Sequence, residues 1–395
     1  MTFENKELKV LFIHLPYLPE NARLDTMSFA FNVVNALAER GARITICLWE
    51  TCQEEYRYLD RWRNVKLVFF RQGLVQGLVS KFSVLSPWAF SVQVALRLRH
   101  RFHYVFTVGQ RGLVIGRILQ HVFGGRLIYF NDEFPSAWDG GRWNRAEKAA
   151  AAHTDLIVVP DKCRVDPLLD ELALPRTHRT FALPNAPLQR TSSAVVDWND
   201  RLGIPPDSKF VLHAGTVADW AQIPEVLFTI RDWPTNCVFL IHSRSCDGLK
   251  EYRRSLMHLH EEGRVFWSTR PVTQSELGSL ISAASCTLGL YRNHGANIEH
   301  VGMSSGKIMR SIVLGVPVVA SRLNSLNFVE QNRLGVLVEK PYEIPKAIET
   351  VLSARQEMRE NCFKFRESHL SFDSHWHTLW QELEGSRRNL DRVQR

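Results

Sequence analysis

The sequence predicts an α/β protein made of two successive doubly wound domains, and three observations carry that prediction. At 395 residues the chain is too long for one ordinary hydrophobic core. Short apolar runs alternate with amphipathic stretches, the pattern of strands and crossover helices in a parallel sheet. The alternation stops at a polar, proline-bearing segment near residue 187 and then starts again.

In the first half Lys9–Leu15 reads as a strand and Asp25–Arg40 as a helix closed by Gly41. Arg43–Trp49 and Val65–Phe70 follow as strands, and Pro87–Arg101 as a helix with proline near its start. Strands recur at Tyr104–Val108, Arg126–Phe130 and Asp155–Val159; runs such as LIYF and LIVV suit strands buried on both faces. Leu183-Pro184-Asn185 ends the pattern. The domains expected are 1–187, a linker over 188–204, 205–365, and a C-terminal helix with a charged tail over 366–395, frayed from Ser386. In the second half strands are expected at Phe210–His213, Val238–His242, Val265–Trp267, Thr287–Tyr291, Val316–Ala320 and Gly335–Val338. Helices fall between them, at Pro224–Arg231, Leu249–His260, Ser275–Ala284 and from Ser304.

Composition narrows the class. No run of ~18 apolar residues offers a membrane span, and the acidic N-terminus does not look like a signal peptide. Seven scattered cysteines without a C-x-x-C pair fit reduced thiols in the cytoplasm rather than a zinc site. His, Cys and carboxylate spacing suggests no bound metal. No repeat of 20–50 residues points to a solenoid. The net charge of +8 is concentrated: between Arg61 and Asn131 there is no Asp or Glu, but there are eleven Lys or Arg. Such a field favours an anionic partner, unless it is simply a basic face with none. No nucleic-acid-binding motif accompanies it.

The segment richest in chemistry is GMSSGKIMRSIVLGVPVVAS, Gly302 to Ser321. Ser304 and Ser305 are good N-cap residues, Gly306 allows close backbone approach, and Lys307 lies in the first helical turn. A lysine there opposes the helix dipole unless an anion is present, so N–H groups, dipole and ammonium together make a phosphate site. Here the sequence resembles the GT-B glycosyltransferases, whose C-terminal domain carries S-x-K-x-x-E-x-x-x-x-G-x-P-V-V-A. Ser305-Gly306-Lys307, Gly315 and Pro317-Val318-Val319-Ala320 fit in order and spacing. Pro184-Asn185 looks like the hinge before the second domain, and Val211–Thr216 like its first strand and glycine turn. The resemblance implies two Rossmann-like domains facing across a cleft, with a nucleotide-sugar donor held by the C-terminal one. It implies donor contacts from Gly215, Thr216, His242, Arg244, Ser304, Ser305, Gly306, Lys307 and Arg310. It also implies no metal or other cofactor, since helix dipole and basic side chains stabilise the leaving diphosphate. His213 and Arg270 are further positions that could face the donor, and Asn297 and Glu299 stand where the transferred sugar could be contacted.

The departures are informative. Retaining members carry two glutamates eight positions apart, where this chain has Gly302 and Arg310. Their diphosphate-gripping Arg and Lys are replaced near Thr216 and Ala221-Gln222. The S-S-x-K helix start is similar to that of the membrane-associated glucuronosyltransferase of xanthan synthesis, and the missing glutamates favour an inverting reaction.

The second candidate site is Asn131-Asp132-Glu133, just after a strand. Ligand groups in a doubly wound sheet sit beyond the carboxyl ends of strands, so Asp132 or Glu133 is the candidate general base for an acceptor hydroxyl. Of the two, Asp132 is slightly favoured, its shorter side chain next to the strand being better fixed; the pair could instead cap the following loop or helix. His14 and the loop Leu15–Asp25 lie where this family admits the acceptor. Trp88 and Phe90 beside Arg97, Arg99 and Arg101, with the apolar Gly73–Leu85, fit a surface that meets lipid headgroups and a polyprenyl-linked acceptor. Taken together the sequence predicts a cytoplasmic transferase of bacterial polysaccharide synthesis, peripheral on the membrane. A non-hydrolysing sugar-nucleotide epimerase and a catalytically silent GT-B binding module are the alternatives.

Overall fold

A computed structural model describes residues 8–15, 28–49, 62–70, 86–98, 100–137, 141–188, 196–243, 247–259, 263–270 and 272–393. The chain divides into two units, Met1–Pro184 with Phe372–Arg395, and Asn185–Ser371.

The first unit is built on strands β1 (Lys9–His14), β2 (Arg43–Trp49), β3 (Val65–Phe70), β4 (Tyr104–Val108), β5 (Arg126–Phe130), β6 (Leu156–Val159) and β7 (Thr180–Ala182). Their order in the sheet is β3-β2-β1-β4-β5-β6-β7, every pairing parallel. The second unit holds β8 (Lys209–Ala214), β9 (Cys237–His242), β10 (Val265–Ser268), β11 (Cys286–Gly289), β12 (Val318–Ser321) and β13 (Gly335–Val338). Its order, β10-β9-β8-β11-β12-β13, is also parallel throughout. Both sheets therefore reverse direction of growth between their first and fourth strands, and in such sheets the carboxyl ends at that reversal are where ligands bind.

Burial explains the strand composition. Every residue of β4, β5 and β6 is buried, which is why these segments read as apolar runs rather than alternations. Arg126 is the charged exception. Its Nη1 donates to the Leu383 carbonyl at 2.6 Å and its Nε lies 3.4 Å from Asp155. Tyr104 donates its hydroxyl to the same Leu383 carbonyl. The helix Phe372–Val393 is thus hooked onto the first sheet, and its Trp376, Leu379, Trp380 and Leu383 join the core of Phe12, Val33 and Leu37. From Phe372 the expected C-terminal helix belongs to the first unit, because its apolar stripe has a core to fill.

The expected linker over 188–204 also changes character. Trp198 is buried in the second unit among Phe210, Leu240 and Leu280, and its Nε1 donates to Ser279 at 3.1 Å. A buried indole with a hydrogen-bond partner makes that end of the segment part of the domain. The helix expected to Arg101 stops at Arg97, and β7 is a short strand the apolar pattern did not reveal. Among the described residues no helix is long and apolar enough to cross a membrane.

If the C-terminal helix completes the first core, Leu379→Ala will lower the unfolding free energy by about 2–5 kcal/mol, the usual cost of truncating a fully buried leucine. Denaturant unfolding of the full chain checks this, and a loss below about 1 kcal/mol would contradict the packing described.

Candidate functional site

In the second unit the carboxyl ends of β8 and β11 bring one cluster together. The helix Gly306–Val313 is pinned beside β11 by two contacts. Thr287 Oγ1 donates to Ser311 Oγ at 2.7 Å, and Ser311 in turn donates to the Lys307 carbonyl. Gly289 permits the approach, since a Cβ there would stand 2.7 Å from Ile308. Ser305 is the N-cap, as expected: its Oγ accepts from the Ile308 N–H and its carbonyl from the Met309 N–H. The N–H groups of Gly306 and Lys307 point out of the helix start without a protein partner among the described residues, as first-turn amides do. Ser304 bonds to Val301 instead, closing the turn before the helix, while Asn185 Nδ2 donates to the Ser304 carbonyl.

Lys307 is the centre of the site. Its Nζ is shut off from water and has no hydrogen-bond partner among the described residues. It lies 4.3 Å from the ring centre of Tyr291 and 5.2 Å from that of Trp220. The two rings stack at 5.9 Å with 6° between their planes. Each such cation–π contact is worth roughly 0.5–2 kcal/mol, less than a desolvated ammonium gives up by leaving water. Burial accordingly brings the Lys307 pKa down to about 7. Tyr291 uses its hydroxyl on Ser305 Oγ, 2.5 Å away, so the ring is fixed while its face remains available.

The two histidines of this edge are buried. His213 is buried, its Nε2 donating to the Thr216 carbonyl at 3.1 Å, and burial lowers its pKa to about 3. It stays neutral and curls the turn through Gly215 and Thr216 back on β8. His242 is buried with Nδ1 at 3.0 Å from Ser268 Oγ. Gly215 gives its N–H to the His242 carbonyl, so this amide serves the turn and not a ligand. Thr216 is exposed at the tip. Arg310 donates to Gln274 at 2.6 Å, which ties it to the helix Gln274–Ala283. Arg270 and Glu299 are exposed, and Asn297 sits on the short helix Ala296–Glu299. Arg244 lies outside the described residues.

In the first unit Asp132 and Glu133 stand half-buried beyond β5. Asp132 rests against Gly109, where φ is +67° and an added Cβ would be 3.4 Å from Asp132 Oδ1. Arg164 is fully buried beside the pair, its guanidinium 4.4 Å from the Phe134 ring centre and its Nη2 donating to the Asp132 carbonyl. Removal from water raises the pKa of Asp132, with the positive charge of Arg164 opposing the rise. Glu133 is pushed up to about 7, by burial first and by the neighbouring Asp132 second. Behind them Asn131 donates to the Glu133 carbonyl and to the Tyr129 hydroxyl, and Tyr129 donates to Glu147, which Gln110 also contacts. This buried chain fixes the loop that carries both carboxylates.

His14, ending β1 beside Val108, is buried and driven down to about 4, hence neutral at pH 7. Arg97 is tied to the Phe69 carbonyl at 2.7 Å, and Arg101 is exposed. On the same helix Val92 and Leu96 are 54% and 74% exposed, unusual for aliphatic residues one turn apart. Phe90, in contrast, is core. Arg99, the Trp88 side chain and the segments Leu15–Asp25 (beyond Leu15) and Gly73–Leu85 lie outside the described residues.

Trp220, Tyr291, Arg164 and Glu147 did not stand out in the sequence. Trp220 and Tyr291 had a weak signal, an aromatic just past a glycine turn and another at a strand end; Glu147 and Arg164 had none.

No protein-family model matches this chain, and neither does any curated protein. Solved structures do. The Anabaena protein HepE in complex with UDP and glucose is similar over 96% of this chain and 100% of that one, with a TM-score of 0.76 at 14% identity. Sucrose-phosphate synthase from Thermosynechococcus elongatus matches over 96% and 100%, with a TM-score of 0.68 at 14% identity. WaaG, a glycosyltransferase involved in lipopolysaccharide biosynthesis, matches over 95% and 100%, with a TM-score of 0.63 and again 14% identity. The fold is GT-B: two doubly wound Rossmann-like units, one with seven strands and one with six.

A histidine neutral in the fold but protonated near 6.5 when unfolded contributes stability that is present above pH 6.5 and lost as pH falls toward about 3. His213→Asn, which can still donate to Thr216, is therefore expected to flatten the loss of stability across that window. Unfolding measured from pH 7 to pH 3.5 checks it, and identical profiles for both proteins would contradict a neutral His213.

Proposed function

We propose that this GT-B chain is a glycosyltransferase that takes a sugar from a nucleotide-diphosphate sugar held at the Gly306–Val313 helix. One observation carries the reading: a buried ammonium without an acceptor among the described residues, Lys307, at the start of a serine-capped helix whose first amides face outward. A diphosphate supplies the acceptor oxygens that this arrangement lacks. HepE, similar in fold, is known in complex with UDP-glucose, which supports a nucleotide sugar as the donor class. The ammonium, the helix dipole and the free N–H groups would stabilise the leaving diphosphate without a metal ion.

The acceptor hydroxyl is deprotonated by Asp132 or Glu133 in an inverting displacement. A carboxylate brought to about 7, as Glu133 is, is matched to general-base work near neutrality. The acceptor is a glycan or a polyprenyl-linked sugar of polysaccharide synthesis. The exposed Val92 and Leu96 beside Arg97 and Arg101, in a stretch without acidic residues, support contact with an anionic membrane from its cytoplasmic side.

Thermal-shift measurements with UDP, GDP, TDP and CMP test the donor site. At least one is expected to stabilise the chain, and the shift is expected to vanish in Lys307→Ala; no shift with any nucleotide would point to a silent binding module. Glu133→Gln is expected to lower transfer by about 10²–10⁴-fold with donor binding retained, whereas full transfer by both Glu133→Gln and Asp132→Asn removes the base assignment. Sedimentation with phosphatidylglycerol vesicles is expected to fall in Val92→Glu/Leu96→Glu, and equal sedimentation of the variant would argue against the membrane surface.

A further inference from the structure

Lys307 occupies a position that stabilises neither protonation state fully. An ammonium has three N–H donors, and here they meet only ring faces at 4.3 and 5.2 Å. The Tyr291 hydroxyl is engaged with Ser305. Burial without an acceptor favours the neutral amine, while the stacked faces of Trp220 and Tyr291 favour the cation. The other charged and titratable groups on the surrounding elements have their own partners. His213 bonds Thr216, His242 bonds Ser268, Arg292 pairs with Glu225, Arg310 bonds Gln274, and Arg366 on the helix Arg355–His369 bonds the Val313 carbonyl at the far end. Asp219 and Glu299 are exposed. None of them bonds Lys307.

We propose that Trp220 and Tyr291 form an aromatic slot that holds Lys307 poised between its two protonation states, so that binding of a nucleotide diphosphate draws a proton from solvent onto Nζ. The proposal rests on the donor-site reading above and adds to it a proton linkage and two positioning residues. The only bond formed is the N–H bond, with the proton supplied by the buffer. The depressed pKa of about 7 agrees with this balance. Its sign is definite. Well below pH 7 Lys307 is already charged and binding takes up no proton. Above it binding takes up close to one, and affinity drops by about tenfold per pH unit.

Calorimetry of the full chain with UDP-glucose, and with GDP- and TDP-linked sugars in turn, tests it. These diphosphates are esterified at both ends and do not themselves titrate near neutrality. In Tris and HEPES at pH 8 the heats are expected to differ by nearly one proton per site, and at pH 6 to agree. Lys307→Arg, which stays charged, is expected to bind with no buffer dependence. Binding by the wild type without proton uptake, or with the same uptake in Lys307→Arg, overturns the linkage and leaves the donor site standing. Failure to bind any nucleotide sugar overturns the donor reading itself. A ¹³C NMR titration of Lys307 in the free chain decides the slot separately. Its midpoint is expected near 7 and to rise in Trp220→Gln, which offers an amide acceptor. A midpoint in the ordinary lysine range near 10.5 overturns the slot, as does one that Trp220→Gln leaves unmoved; should that variant not fold, the Lys307→Arg comparison still decides the linkage.

Discussion

The buried Lys307 ammonium, over two ring faces and without an acceptor, is the constraint to which the rest of the second unit's binding edge is fitted. Taking a charge from water is costly, and the fold offsets it only in part with the faces of Trp220 and Tyr291. The same neighbours fix the helix start, since Tyr291 bonds the capping Ser305. Ser311 and Gly289 let that helix lie close against β11. The residual imbalance is the chemical property a phosphate ligand would relieve.

The first unit places a different chemistry at the matching edge of its sheet. Two carboxylates share the end of β5 with a fully buried arginine, and the chain Asn131–Tyr129–Glu147–Gln110 braces them from behind. Burial lifts both carboxylates while Arg164 restrains the rise. Glu133 in that state has a proton affinity near neutrality, which an ordinary surface carboxylate lacks. One sheet end thus holds a buried amine without an acceptor among the described residues, and the other holds two carboxylates raised by burial.

The likeness to HepE, sucrose-phosphate synthase and WaaG covers nearly the whole chain at 14% identity. What persists at that distance is the fold, and in doubly wound folds glycine turns and helix starts gather at the carboxyl ends of parallel strands. The side chains placed there are free to differ. Arg310 shows this: where the resembled motif has glutamate, this chain has an arginine turned to Gln274.

The sequence by itself determined the alternation of strands and helices, the two-domain division and the Ser305–Lys307 helix start, because these rest on local periodicity, capping and spacing. It also located Asp132 and Glu133, since strand ends are readable from apolar runs. Only the tertiary structure decided which neighbours those residues have. Trp220 and Tyr291 are 71 residues apart and stack because β8 and β11 are adjacent in the sheet. Arg164 reaches Asp132 from the turn after the next strand. His213 and His242, readable as donor contacts, proved to be buried and bonded. The C-terminal helix returned to the first core through Leu383, a contact 257 residues distant from Arg126. Pattern reports what lies next along the chain, whereas burial, pKa and pairing depend on what the sheet order brings alongside.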